Sequence, residues 1–137
     1  MNGVANGVYG GDLPNQINTP WIDFSQQSTY VGWSSFSGRI YKYKIVGNIV
    51  YVSFSFDGTS NSTSTTFTLP ILPKASFTFP FSLNADSGIY TIQGFGINTS
   101  GNIITCYKPT STSNLNITTN WTASGFKQIS GQFFYEI

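Results

Sequence analysis

The sequence predicts an all-β fold, an antiparallel β-sandwich of jelly-roll type with about eight or nine short strands. Three observations carry that expectation. Apolar and polar residues alternate over short runs, which is the period of a half-buried strand. Gly, Asn, Ser and Pro separate those runs and supply the chemistry of turns. No long segment repeats apolar residues at helical spacing.

A chain of 137 residues fits one domain around one core. Residues 1–20, MNGVANGVYGGDLPNQINTP, are rich in Gly and Asn, hold two prolines and show no alternation long enough for a strand. They read as an arm or linker leading to Trp21, with the folded domain over residues 21–137. From Gly38 to Gly58 the text GRIYKYKIVGNIVYVSFSFDG predicts a β-hairpin, with Gly47-Asn48 as a two-residue turn able to take positive φ. In its second strand Val50, Val52, Phe54 and Phe56 form the buried face, because the opposite parity carries Ser53 and Ser55. Tyr51 is the exception and reads as a rim or interface residue.

Further strands are expected over residues 65–69, 77–83, 88–97, 102–107, 115–119 and 129–137. The segment from Asn98 to Asn102 marks a hairpin turn. Pro70, Pro73 and Pro80 make ILPKASFTFPF an edge or a crossover between sheets. Gly94 and Gly96 have no helix after them to build a phosphate-binding loop, so they read as strand glycines that permit close packing.

Composition excludes several kinds of chemistry. Charged residues are 8% of the chain against roughly 25% in an ordinary soluble domain, so Ser, Thr, Asn, Gln and Gly must supply the polar surface. With 12 Phe, 8 Tyr and 3 Trp the chain is too aromatic to be disordered. A net charge of +1, from cations scattered between Arg39 and Lys127, makes no basic stripe for nucleic acid. No apolar run reaches the roughly 18 residues of a membrane span, and the first residues lack the pattern of a signal peptide.

The single cysteine, Cys106, allows no internal disulfide and reads as a small buried apolar residue. The absence of histidine removes the usual general base and the commonest metal ligand, so neither a metal site nor a cofactor is expected. A carboxylate pair for glycoside hydrolysis would have to come from Asp12, Asp23, Asp57, Asp86 and Glu136. Only Asp23 and Asp86 lie outside ordinary structural positions, and they meet only if the fold brings them together. The chain is therefore expected not to be an enzyme.

An uncharged polar surface suits sugars, whose hydroxyls bond to Asp, Asn or Gln while their C–H faces pack on aromatic rings. Two loops supply such neighbours: Asn120 with Trp121, and Asn84 with Asp86. Tyr107, beside Lys108, is a third candidate. Trp121 has an alternative reading as a structural ring at a sandwich end or subunit seam, and Trp21 and Trp33 read as core or interface.

Trp21, the VGW at 31–33, the hairpin IYKYKIVGNIVYVSFSFDGTSNS, the FTLP at 67–70, the GNI at 101–103 and the closing ASGFKQISGQFFYEI together resemble the C-terminal head domains of bacteriophage tail fibres and receptor-binding proteins. The similarity covers roughly residues 19–137 and rests on the order and spacing of the pieces. It departs from the family at Pro73-Lys74 and the Phe-rich stretch that follows. The resemblance implies a β-sandwich head at the tip of a virion's tail fibre, assembled as a homotrimer and attaching to a host-surface glycan or protein receptor. A surplus of aromatics over charges gives trimerisation a physical motive, with Tyr41, Tyr43 and Tyr51 as the candidate interface. The rival readings are a trimerising cap or virion decoration that binds no receptor, and a glycan hydrolase.

Overall fold

A computed structural model of the chain describes residues 17–91, 94–110 and 116–137. Twelve strands form two sheets, and no helix occurs among the described residues. The first sheet runs β1 (Ile22–Asp23), β3 (Trp33–Val46), β4 (Ile49–Ser60), β12 (Phe126–Glu136), β7 (Leu83–Asp86), β8 (Ile89–Thr91). The second runs β2 (Tyr30–Val31), β5 (Thr66–Thr68), β10 (Ile103–Pro109), β9 (Phe95–Asn98), β6 (Phe77–Pro80), with β11 (Ile117–Thr118) also pairing β10. Every strand pairing is antiparallel. The expected antiparallel β-sandwich is present. The finer expectation of a jelly-roll winding is not confirmed by this strand order.

The β3–β4 hairpin closes at Gly47-Asn48, where Gly47 takes φ 61° and Val46 faces Ile49. Val50, Val52, Phe54 and Phe56 point into the core, as the serine parity requires. Phe54 lies at the centre, its ring 5.2–6.2 Å from those of Phe56, Phe67, Phe79, Phe81 and Phe133. Aromatic edges and faces thus fill most of the space between the sheets, where Val50, Val52, Leu69, Ile104 and Ile129 are the only Val, Leu or Ile of the buried cluster among the described residues. The glycines of β9 and its approach make room for them. A Cβ added at Gly96 would stand 2.2 Å from the Phe79 ring, and one at Gly94 2.4 Å from the Phe81 ring.

Tyr41 is fully buried and donates from its hydroxyl to the Thr68 carbonyl at 3.0 Å, so it cannot touch a neighbouring subunit. Tyr43 is half-buried and packs on the same core. The expected interface trio therefore dissolves: only Tyr51, 41% exposed, faces outward. The turn is the physical reason. A two-residue loop places Tyr41 opposite Phe54 and Tyr43 opposite Val52, and partners across an antiparallel pair share a face. Burial also pushes the Tyr41 hydroxyl well above its ordinary pKa.

Two expected strands each divide between the sheets. In the 77–83 run, Phe81 donates its amide to Gly94 while the adjacent Ser82 donates to Ser130 on β12. The chain turns a corner there, leaving β6 at the edge of one sheet and β7 inside the other. Pro80 ends that edge strand, where a missing N–H is tolerated. The 88–97 run likewise divides into β8 and β9, although Ile92 and Gln93 lie outside the described residues, as does Leu115 in the expected 115–119 strand.

Most of the expected arm, residues 1–16, is also outside the described part. Its last residues lie against β3, where Thr19 donates to the Ile45 carbonyl and accepts from the Ile45 amide, each at 2.9 Å.

Candidate functional site

Between the edge of the first sheet at β7–β8 and the end of β10 in the second lies a cleft of about 300 Å³. Its polar lining includes Asn84, Asp86, Thr91, Lys108, Thr110 and Thr122. Inward-facing positions on β7 normally carry apolar side chains, yet Asn84 and Asp86 occupy two of them, opposite Ile129 and Lys127. They are accommodated because each has partners. Thr91 donates its hydroxyl to Asn84 Oδ1 at 3.0 Å. Asp86 accepts from the Thr122 amide at 3.0 Å and 3.2 Å and from the Thr122 hydroxyl at 3.0 Å. Lys108 Nζ lies 2.6 Å from Asp86 Oδ2.

The carboxylate is thereby fixed in orientation by the Thr122 amide, the Thr122 hydroxyl and the Lys108 ammonium. Ile89, 60% exposed, stands at the cleft as an apolar surface. The lining contains one carboxylate. Among the other described acids, Asp57 accepts from Ser37, Glu136 pairs with Lys74, and Asp23 is capped by the Ser25 amide. No group of three or more Cys, His, Asp or Glu residues able to hold a metal occurs among the described residues.

The fold thus unites Asn84 and Asp86 with Lys108 and separates the other candidates. Trp121 is 1% exposed and donates its indole N–H to the Cys106 carbonyl at 3.0 Å, so no ring face is available for a sugar. Its alternative reading as a structural ring is the correct one. Asn120 is exposed but outside the cleft lining, and Tyr107 takes the opposite side of β10 from Lys108. Thr91, Thr110 and Thr122 were missed. In a Thr-rich chain nothing local distinguishes them, and Thr122 is 36 residues from the carboxylate that it holds. Trp33 is in the core, whereas Trp21 is 47% exposed on the outer face of the first sheet.

Behind the cleft, Lys127 is buried completely. Its ammonium donates to the Gly32 carbonyl at 2.9 Å and to Thr65 Oγ1 at 2.7 Å. The Trp33 and Trp121 rings stand 5.1 Å and 5.5 Å from it. This cage only partly replaces water: burial lowers the Lys127 pKa from 10.5 to about 8, against the opposing influence of Asp86. Nearby, burial pushes the Cys106 thiol up, leaving it the inert small core residue that was expected.

A pH dependence follows from the lysine. Below pH 8 both folded and unfolded chains hold the Lys127 proton, and the fold bears the full cost of the buried charge. Between about 8 and 10.5 the folded state releases that proton first, so this residue's contribution to stability rises with pH. Burial of Cys106, Tyr30 and Tyr41 acts with the opposite sign at high pH. The lysine is isolated by comparison with Lys127→Met. In urea melts the stability of the native chain relative to that variant should gain about 2–3 kcal/mol between pH 7 and 10. A constant difference would show that the ammonium is not desolvated.

No family model, curated protein or solved structure matches the chain.

Proposed function

We propose that the chain is the non-catalytic head of a viral fibre, acting as a homotrimer in attachment to a host cell by binding surface carbohydrate in the Asn84–Asp86–Lys108 cleft. The observation that carries the binding site is the immobilised Asp86 carboxylate, flanked by an amide, threonine hydroxyls and the apolar Ile89. Such a set supplies acceptors, donors and a C–H packing surface to a polyol. A single carboxylate in the cleft favours binding over hydrolysis, which needs a pair. The viral setting rests on the resemblance of residues 19–137 to phage fibre heads, and three copies would sum weak contacts into avidity.

Glycan-array binding tests the site. Thr110→Val changes an exposed rim hydroxyl, so its stability should stay within about 0.5 kcal/mol of the parent. Loss of one ligand hydrogen bond should weaken glycan binding by roughly 2- to 10-fold. A chain that binds no glycan, or a variant that binds as well as its parent, would remove the cleft from consideration. A trimer that binds no glycan would favour the structural cap. Light scattering tests assembly, and a monomer at micromolar concentration would overturn it.

A further inference from the structure

The outer face of the first sheet presents a different chemistry. Register places Lys44, Tyr51 and Phe134 side by side on β3, β4 and β12, and Lys42, Ser53 and Gln132 in the adjoining row. Trp21, one position before β1, stands beside these rows and separates two depressions. One, of about 560 Å³, is lined by Trp21, Lys44, Tyr51, Gln132 and Phe134. The other, of about 320 Å³, holds Trp21, Asp23, Arg39 and Lys42. Exposure reaches 47% at Trp21, 41% at Tyr51 and 65% at Phe134, which gathers on this face three of the five exposed large rings among the described residues, Tyr90 and Phe126 being the others.

The charge lining the two depressions is mostly positive, from Lys44 in one and from Arg39 and Lys42 in the other, whereas Asp57 and Glu136 lie on the same face of the sheet but outside both linings. Lys74 and Lys108 have carboxylate partners and Lys127 is buried, whereas Lys42 and Lys44 make no ion pair among the described residues; Arg39 donates to Gln26 and lies over the Tyr30 and Phe36 rings. Asp23 is the one carboxylate lining either depression. The two lysine ammoniums instead lie 5.2 Å and 5.9 Å from the centre of the Trp21 ring. A second copy of this chain is a poor occupant, because covering the face would desolvate cations without bringing a surplus of anions from a chain of net charge +1.

We infer that this face binds an acidic saccharide chain, separately from the cleft. Its carboxylates or phosphates would draw Lys42 and Lys44 off the indole, and its sugar rings would pack on Trp21, Tyr51 and Phe134 while Gln132 bonds to hydroxyls. The two depressions on either side of Trp21 suit a linear polymer that passes over the indole. This inference does not depend on what the cleft binds.

Affinity electrophoresis in gels containing polygalacturonate, alginate or hyaluronate tests it, with fully methyl-esterified polygalacturonate as the uncharged control. At least one acidic polymer should retard the native chain, and the ester should not. Trp21→Ala and the double variant Lys42→Gln/Lys44→Gln should each lose about tenfold in affinity. Thr110→Val in the cleft should leave retardation unchanged, which separates failure here from failure at the cleft. Retardation by none of the acidic polymers overturns the inference, as does equal retardation by the ester. Undiminished retardation of Trp21→Ala would reduce the effect to ion exchange and overturn it too. Light scattering completes the test: an oligomer that dissociates in Trp21→Ala would show the face to be covered by another copy, again overturning the inference.

Discussion

Trp121→Ala should destabilise the fold by about 3–5 kcal/mol, the range for removing a large buried aromatic ring. The ring is 1% exposed, and its loss would leave the Cys106 carbonyl without its indole donor and open one wall of the Lys127 cage. Thermal or urea unfolding reads the effect directly. A second signature distinguishes this from ordinary cavity formation: with one wall gone, water reaches the ammonium and its pKa should return toward 10.5. A variant that unfolds at the parent temperature yet loses glycan adhesion would return Trp121 to the ligand surface.

Phe54→Ala should cost a similar amount, about 3–5 kcal/mol. Five aromatic rings surround Phe54 across both sheets, so the cavity cannot be closed by one neighbour alone. Gly131 lies directly opposite it on β12, and a Cβ there would come within 3.2 Å of the Phe54 ring. An unchanged unfolding midpoint for Phe54→Ala would mean that the parity of β4 is inverted and that its serines face the core.

Much of this architecture is legible in the amino-acid sequence. The alternation from Val50 to Phe56 and the Gly47-Asn48 turn carry both the hairpin and its buried face, because strand period and turn length leave little freedom. The same turn also contained the answer for Tyr41 and Tyr43. Pairing Val46 with Ile49 places every odd residue of the central β3 segment against an even residue of β4, so those tyrosines belong with Phe54 and Val52. Reading each strand separately concealed this. Lys127 was not legible at all, since a lysine between Phe126 and Gln128 looks like any surface lysine until Gly32 and Thr65 arrive from 95 and 62 residues away.

The cleft divides in the same manner. Asn84 and Asp86 stand two residues apart, and their chemistry is visible in the text. Their holders, Thr91, Lys108 and Thr122, are supplied by three other segments, and only the tertiary path of the chain selects them from many equivalent threonines. The outer face was partly legible, because Tyr51 broke the parity of its strand. Trp21 gave no such sign: the arm before it and the short strand after it have too little periodicity to say which way an indole points.

The position of β12 between β4 and β7 constrains how the molecule comes into being. Until residues 126–136 have left the ribosome, the first sheet exists only as two fragments, and Ile129, Phe133 and Tyr135 are missing from the interior. The nascent chain must therefore hold a long, aromatic hairpin in waiting, where other such hairpins could pair with it. Production of this protein should depend less on final stability than on how quickly β12 arrives to claim its place.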